Sequence, residues 1–558
     1  PSGALTHFSE ETGLMRNNVR SILVDRTGRV WVGTKLGLNV FDGDRIRVFT
    51  IHQGMPNDNI YCSFQDNEGN IWFGTDGAGA IKFLGDRFVT YTVKDGMCSD
   101  LVMTIVADGQ GDRWLGTYDN GVCRMDGMAI VTTREGLPNN TIWCGLKDRN
   151  DALWFGTNEG LTKIERGIPV PLPPEIAMPE LRILSLLEDA QGRIWCGTRE
   201  GLAVVNTDGT TKRYPAGTNG PGRSIRAIIA DGEGRLWLGS DHGIGVLNGS
   251  TFGKYGVKDG LCDSTVQCLL HDDDGRLWIG TNNGLSCFDS GKFRTFRFAT
   301  DFGSNFFGLL QCDESGRIWA GTNNGLFLFQ PDSLLNDPLA YEHITRSAGL
   351  SNLEFNLNAG YVDDKGRLLL GSAGGLVFHD TRRYPNSPFV RAPKVHITGV
   401  RSFLQQTDWS KQSDSISPNG LPIGLDLEYR RNYLTFDYTG ISLSDPDRVQ
   451  YRYRLEGFDP DWLPATDARF ASYSNLPNGE YTFQVIAAVG DKNWSEPDTF
   501  TFSIAPPFWL RWWFFVSIVT VLAAAAYGIM HARSLVRQRH ERTRQLLLRS
   551  RMLQLEQQ

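Results

Sequence analysis

A phrase of fifteen residues, "GRLWIGTNNGLSCFD" at 275–289, returns as "GRVWVGTKLGLNVFD" at 28, "GRIWCGTREGLAVVN" at 192 and "GRIWAGTNNGLFLFQ" at 316. Its anchor, W-x-G-[TS], falls at Trp31, Trp72, Trp114, Trp154, Trp195, Trp237, Trp278 and Trp319, with Leu369 in place of Trp once. The intervals are 41, 42, 40, 41, 42, 41, 41 and 50 residues. A period of about 40 to 45 is that of propeller blades, each a four-stranded sheet. Helical repeats of similar length are excluded, because the segments carry several Gly and alternate apolar with polar residues.

Each repeated residue has a physical task. Six residues before every anchor stands Asp, from Asp25 to Asp363, and three after it comes Gly, or Asp151 in one repeat. This D-x-x-G spacing predicts a hairpin turn, with Asp capping local N–H groups and Gly at positive φ. The Gly two after the anchor lets neighbouring blades approach, and the Trp fills the gap between them. A second turn follows at T-x-x-G-L, longer by one residue in "TDGAGA" and "TYDNGV". "HDDDGRLW" at 271–278 looks like a calcium loop, but Asp272 is the turn Asp of all nine repeats and the distal Glu is absent. The nine Cys also follow the repeat: Cys62, Cys144 and Cys268 share one slot, Cys98 and Cys262 another, Cys123 and Cys287 a third. Most read as small buried hydrophobes, with no CxxC pair and no metal spacing.

The net charge of −7 hides an asymmetry. From 508 onward eight Arg face Glu541 and Glu556, so residues 1–507 carry −13 by difference. An acidic body of this kind argues against nucleic-acid binding. "WWFFVSIVTVLAAAAYGIM", Trp512 to Met530, has no charge and is long enough for the ~30 Å hydrocarbon core. Trp509, Trp512 and Trp513 form an aromatic belt at its start, and Arg533, Arg537, Arg539, Arg542 and Arg544 follow its end. This predicts one transmembrane helix in the cytoplasmic membrane, residues 1–507 outside and 532–558 in the cytoplasm. The chain opens on Pro1, partway into a repeat, and reads as a mature or truncated form. After the Pro-marked stretch "NSPFVRAPKV" (386–395), strands such as "YLTFDYTGI" and "EYTFQVIAAV" alternate as in a β-sandwich. "NLPNGEYTFQVIA" is similar to the tyrosine corner of fibronectin-type folds, with Tyr481 at the corner.

Taken together, these segments resemble the sensor half of bacterial two-component regulators: propeller repeats, a triple-tyrosine (Y_Y_Y) domain and one membrane helix. The residues that carry the resemblance are "EGLPNNTI…D…LWFGTNEGL", the divergent last blade "GLSNLEFNLNAG", "YRYRLEGFDPDW" with Tyr451, Tyr453 and Trp462, "LPNGEYTFQV" and "PPFWLRWWF". The divergent last blade accounts for the 50-residue interval. The family's seven-bladed propellers, counted back from the last repeat, reach Trp114. The implied fold is mainly β, with two repeats of an upstream propeller at 1–90, a seven-bladed β-propeller at 91–390 and an immunoglobulin/fibronectin-III-like sandwich at 391–507. A transmembrane helix at 508–531 and a juxtamembrane coiled-coil start at 532–558 complete it. A single ring of eight or nine blades is the alternative.

The resemblance implies a sensor, a histidine kinase whose catalytic module is absent from this chain. ATP and Mg belong to that module alone, no cofactor is expected in this region, and a response regulator is the partner through the missing module. "RHERT" around His540 lacks the context of a phosphoacceptor, and Leu548, Met552 and Leu555 instead form a helical stripe that predicts a paired linker in a homodimer. The ligand is expected to be a small molecule or oligosaccharide. Propeller specificity belongs to free positions on a rigid ring. Eleven residues before the anchors these are Arg20, Tyr61, Met103, Trp143, Leu184, Arg226, Gln267, Gly308 and Asn358. The turn pairs Asn158-Glu159, Arg199-Glu200, Asp241-His242, Asn282-Asn283 and Asn323-Asn324 add groups suited to a polyol. An enzyme, such as a lyase or glycosidase, would need a cluster that breaks the repeat, and none is evident beyond His242 and Arg226. An adhesion scaffold would not need the helical linker.

Overall fold

The computed structural model describes residues 5–555 apart from 44, 52–54, 86, 126–128, 218–219, 299–304, 383–391, 403–404, 406 and 490–492. The chain divides into two compact units, Pro1–Pro388 and Phe389–Gln558. Much of the Pro-marked boundary, 386–391, lies outside the described residues.

In each repeat the W-x-G-[TS] phrase is the second strand of an antiparallel sheet. In the repeat of Trp278, Leu277–Thr281 pairs with the innermost strand Val266–His271 and with Gly284–Asp289, and Lys292–Phe296 lies outermost. The turn Asp is the keystone. Asp272 Oδ1 accepts the N–H of Asp274 and Arg276, while Oδ2 accepts Arg276 Nε at 2.7 Å and Trp278 Nε1 at 2.8 Å. The same Asp-to-indole bond recurs in all eight Trp repeats. The anchor therefore fills the gap between blades and also ties its blade's first hairpin. Trp278 is fully buried and meets Phe329 of the next blade at 5.2 Å. A Cβ on Gly280 would stand 2.7 Å from Phe307 O of the next innermost strand, so only Gly permits that approach.

Seven of these sheets close a ring. Blade 1 is Val102–Ala107 to Ile130–Val131, and blades 2 to 6 follow with innermost strands Ile142–Lys147, Ile183–Glu188, Ala227–Ala230, Val266–His271 and Phe307–Cys312. Blade 7 has Phe355–Val362, Arg367–Ser372 and Gly375–Asp380 in sequence, but its outermost strand, Phe88–Tyr91, comes from before blade 1. Arg113 of blade 1 pairs with Asp363 of blade 7, and Asn356 Nδ2 donates to Val102 O at 2.8 Å, so the seam is polar as well as apolar. The repeats of Trp31 and Trp72 form sheets outside the ring, the second with three strands because Phe88–Tyr91 serves the ring. On their innermost strands Ile22, Val24 and Phe64 are more than 60% exposed, whereas Ile105 and Leu310, in the register of Ile22, are buried.

Two expectations are corrected. The 50-residue interval arises mainly in blade 6, where the helix Pro331–Asn336 stands between the third and fourth strands, with a smaller share from a bulge in blade 7. Cys123 and Cys287 do not share a slot, and Cys123 forms a disulfide with Cys98. Equal spacing from the anchor misplaces its counterpart. The extra residue in "TYDNGV" puts Cys123 opposite Leu115, whereas Cys287 lies opposite Trp278, so the residue in register with Cys123 is Ser286, opposite Ile279.

The second unit is a sandwich. One sheet holds Lys394–Ser402, Leu434–Ile441 and Phe470–Tyr473; the other holds Leu425–Leu427, Asp498–Ile504, Gly479–Val489 and Val449–Glu456. Phe436 and Phe483 stack at 4.2 Å in the shared core. Tyr481 Oη donates to Pro477 O at 2.9 Å, the corner bond expected of it. From Ile504 the chain passes through Pro506, Pro507 and the turn Phe508–Leu510 into one helix, Trp512–Leu555, of 44 residues. Its first half is long and apolar enough to cross a membrane.

Candidate functional site

Antiparallel pairing fixes which end of a blade can carry specificity. The D-x-x-G turns lie at one face, and the start of the innermost strand and the T-x-x-G turn share the other. At that second face six of the seven ring blades depart from regular pairing, the exception being blade 4. In blade 5, Val266 pairs with Thr281 and Cys268 with Gly280, so Gln267 is the extra residue of a β-bulge. The same step isolates Met103, Trp143, Leu184 and Gly308. Arg226 precedes its strand and donates its N–H to Gly239 O. A bulge re-aims a side chain without disturbing the sheet behind it, so the eleventh residue before the anchor varies over a constant frame. Arg20 and Tyr61 occupy such bulges too, with the Arg20 guanidinium 4.3 Å over the Tyr61 ring, but on the N-terminal pair of blades outside the ring.

The structure joins some predicted residues directly. Trp143 Nε1 donates to Asn158 Oδ1 at 2.8 Å, and Gln267 Nε2 to Asn282 Oδ1 at 2.6 Å, so bulge and turn of one blade form a unit. Glu159 accepts Asn139 Nδ2 at 3.0 Å, and Asp241 Oδ1 lies 2.8 Å from His242 Nδ1. Arg199, Glu200, Asn283 and Asn323 are exposed at their turns, while Met103 and Asn324 are buried, and Asn324 O meets His343 Nε2. Half-burial draws Arg226 below its ordinary value, and nearby Asp241 counters this in part.

Asn358 plays a different part. Between Phe355 and Gly360 the innermost strand of blade 7 gains three residues on its partner. Asn358, at φ +53°, donates Nδ2 to Arg226 O at 2.9 Å and Gln267 O at 3.1 Å. One side chain thus braces blade 7 against blades 4 and 5. Sequence reasoning missed Tyr118, edge-on to Trp143 at 5.7 Å, and Arg182, 5.6 Å over the Trp143 ring. Tyr118 is the first residue of an elongated T-x-x-x-G turn, which is the signal that could have found it.

The two-component regulator propeller model matches residues 13–35, 54–77, 177–200, 219–242 and 260–283, and the Y_Y_Y domain model matches 442–505. The chain thus carries two-component regulator propeller repeats and a Y_Y_Y domain. Each propeller match runs from before the bulge position into the following turn, the stretch that bears the candidate residues of those five repeats. A solved relative is the extracellular domain of a protein assigned as a hybrid two-component system from B. thetaiotaomicron, 24% identical, with a TM-score of 0.64 over 88% of this chain and 73% of that one. A second such domain from the same organism is 22% identical, with a TM-score of 0.46 over 88% and 70% of the two chains. A histidine kinase P4 of Formosa agariphila is 25% identical over 107 residues, 19% of this chain and 8% of the kinase. The match thus spans a small part of that relative's length.

Proposed function

We propose that this chain is the extracytoplasmic ligand-sensing and transmembrane part of a two-component sensor, anchored in the cytoplasmic membrane, with a carbohydrate ligand at the bulge face of the propeller. The observation that carries the reading is continuity: a regulator propeller and a Y_Y_Y sandwich share one chain with a helix that begins seven residues, 505–511, after the last sandwich strand. Pro506 and Pro507 stiffen that junction, and Trp509 packs edge-on to Tyr429 at 5.8 Å, so motion of the sandwich reaches the helix rather than dissipating in a linker. A single helix carries no message alone, so the sensor acts as a homodimer, in which ligand favours one packing of the paired helices over another. A cytoplasmic histidine-kinase module and its response regulator receive that change.

Calorimetric titration of the full chain with oligosaccharides and peptides, with mass spectrometry to detect turnover, tests the reading. An oligosaccharide that binds and is recovered intact supports it; cleavage makes the propeller an enzyme. Replacing Arg226 and Trp143 by Ala is expected to weaken binding with little change in melting temperature, and unchanged affinity would remove the bulge face as the site. Four Gly inserted after Pro507 are expected to leave affinity intact and abolish the change in cross-linking between Cys residues placed at Ser534.

A further inference from the structure

The propeller's arginines differ between its two faces. At the D-x-x-G face they meet carboxylates: Arg276 pairs with Asp272 and Asp332, and Arg317 with Asp313. At the bulge face, where blades 3 and 4 meet, main-chain bonds hold together the segments that carry Arg182, Arg199, Arg223 and Arg226. Arg199 N donates to Arg182 O, Ser224 N to Arg199 O, and Asp241 N to Arg223 O. Among the described residues none of these four guanidinium groups donates to a carboxylate. Arg226 is half-buried, and its side-chain hydrogen bond is a long one, Nη1 to Ser224 O at 3.3 Å. Asp241 is the carboxylate beside it, beyond ion-pair distance and already engaged by His242. The donors of this half-buried guanidinium are therefore open to a ligand, and the cluster stands in a body of net charge −13. A second observation points the same way. Gln267 is 6% exposed, and its Oε1 is buried with no hydrogen-bond partner, while its Nε2 is held by Asn282. Asn358 clamps the Arg226 and Gln267 backbones through one amide, so both unfilled side chains start from neighbouring points of the ring mouth.

We propose that this cluster takes the oxyanion of an acidic saccharide, a uronate carboxylate or a sulfate ester, with Arg226 as its anchor. Gln267 Oε1 accepts a sugar hydroxyl, and the Trp143 indole beside Arg182 offers an apolar face to a ring. The inference rests on the carbohydrate reading above and narrows it to charged ligands. Guanidinium is suited to the task, since it bonds carboxylate and sulfate in a bidentate fork.

The test uses the full chain in detergent, with an oligogalacturonate hexamer, a sulfated galactan hexasaccharide and cellohexaose as probes, and inorganic sulfate at constant ionic strength. One acidic hexamer is expected to bind, to weaken at least tenfold in Arg226→Gln and to weaken with salt, while the melting temperature of the variant stays within a degree of wild type. Which acidic hexamer binds tells carboxylate from sulfate. If cellohexaose binds and Arg226→Gln leaves its affinity unchanged, the anionic anchor is overturned and the carbohydrate reading stands. If no saccharide binds but sulfate raises the wild-type melting temperature and not that of Arg226→Gln, the anion site stands and the carbohydrate reading falls. If neither saccharide nor sulfate acts through Arg226, the inference is wrong.

Discussion

Replacing Ser286 by Cys is expected to create a second disulfide, in blade 5, with Cys262. In blade 1 the bridge runs from Cys98 to Cys123, which pairs with the residue after the anchor Trp. Ser286 holds that register in blade 5, and Cys262 N already donates to its Oγ at 3.1 Å. The native bridge closes a loop with a sequence separation of 25, and the engineered one would close 24 by the same arithmetic. Chain-entropy bookkeeping for such a loop gives about 3.5 kcal/mol, and strained engineered bridges return less. A gain of roughly 2 to 3 kcal/mol, a few degrees in the propeller transition, is therefore expected. Thermal unfolding of the full chain with and without reductant, beside peptide mapping by mass spectrometry, reads both the bond and its effect. Reduction should erase the gain in Ser286→Cys, and should destabilise wild type through the native bridge. A map showing Cys262 bonded to Cys287, or still free in Ser286→Cys, would refute the register argument.

The other predictions concern the frame of the ring. Trp278→Ala is expected to cost about 3 to 5 kcal/mol through the cavity it leaves, and Trp278→Phe less, since it keeps most of the ring and loses the bond to Asp272; chemical denaturation measures both. Burial pulls Asp25 upward, but bonds from Thr27, Trp31 and Arg29 more than reverse it and lower its carboxyl to about 2, and Asp66, Asp189, Asp231 and Asp363 are lowered in the same way. Their stabilisation is complete above the ordinary carboxylate value and is lost as pH falls through the lowered ones, so melting temperature should drop between about pH 4 and pH 2; a flat profile there would contradict it. Asn358→Ala removes two hydrogen bonds and leaves a Cβ residue at positive φ, an expected cost of about 2 to 3 kcal/mol, and hydrogen exchange should rise on the innermost strands of blades 4, 5 and 7.

Repetition made the frame legible. Asp, Gly, Trp and Thr recur at fixed offsets because each answers a local demand of one hairpin, and local demands are written in neighbouring residues. What escaped were interactions that cross the period. The bulge leaves no mark in composition, since a free position looks the same whether the strand is regular or bulged. Counting from the anchor failed at Cys123 because one residue added to a turn shifts everything beyond it by one face. The strand Phe88–Tyr91 carries no anchor and lies next to repeats to which it does not belong. Asn358 reads as one more variable position until blades 4 and 5 are seen opposite it, and the four arginines are spread over two loops and a turn.

The closing strand also sets an order in time. Phe88–Tyr91 leaves the ribosome early, yet its partner strand begins at Gly375. At about 5 to 20 residues per second the wait is tens of seconds, during which an apolar strand has an unpaired edge open to any chain that offers one. Blades 1 to 6 can pair within themselves as they emerge, so the nascent protein is an open arc of finished sheets with a loose clasp at its start. Its yield in the cell then depends on how well that clasp is shielded until the last blade arrives. Substitutions at Val89 or Tyr91 would reveal themselves as aggregation during synthesis before they changed the melting of the finished ring.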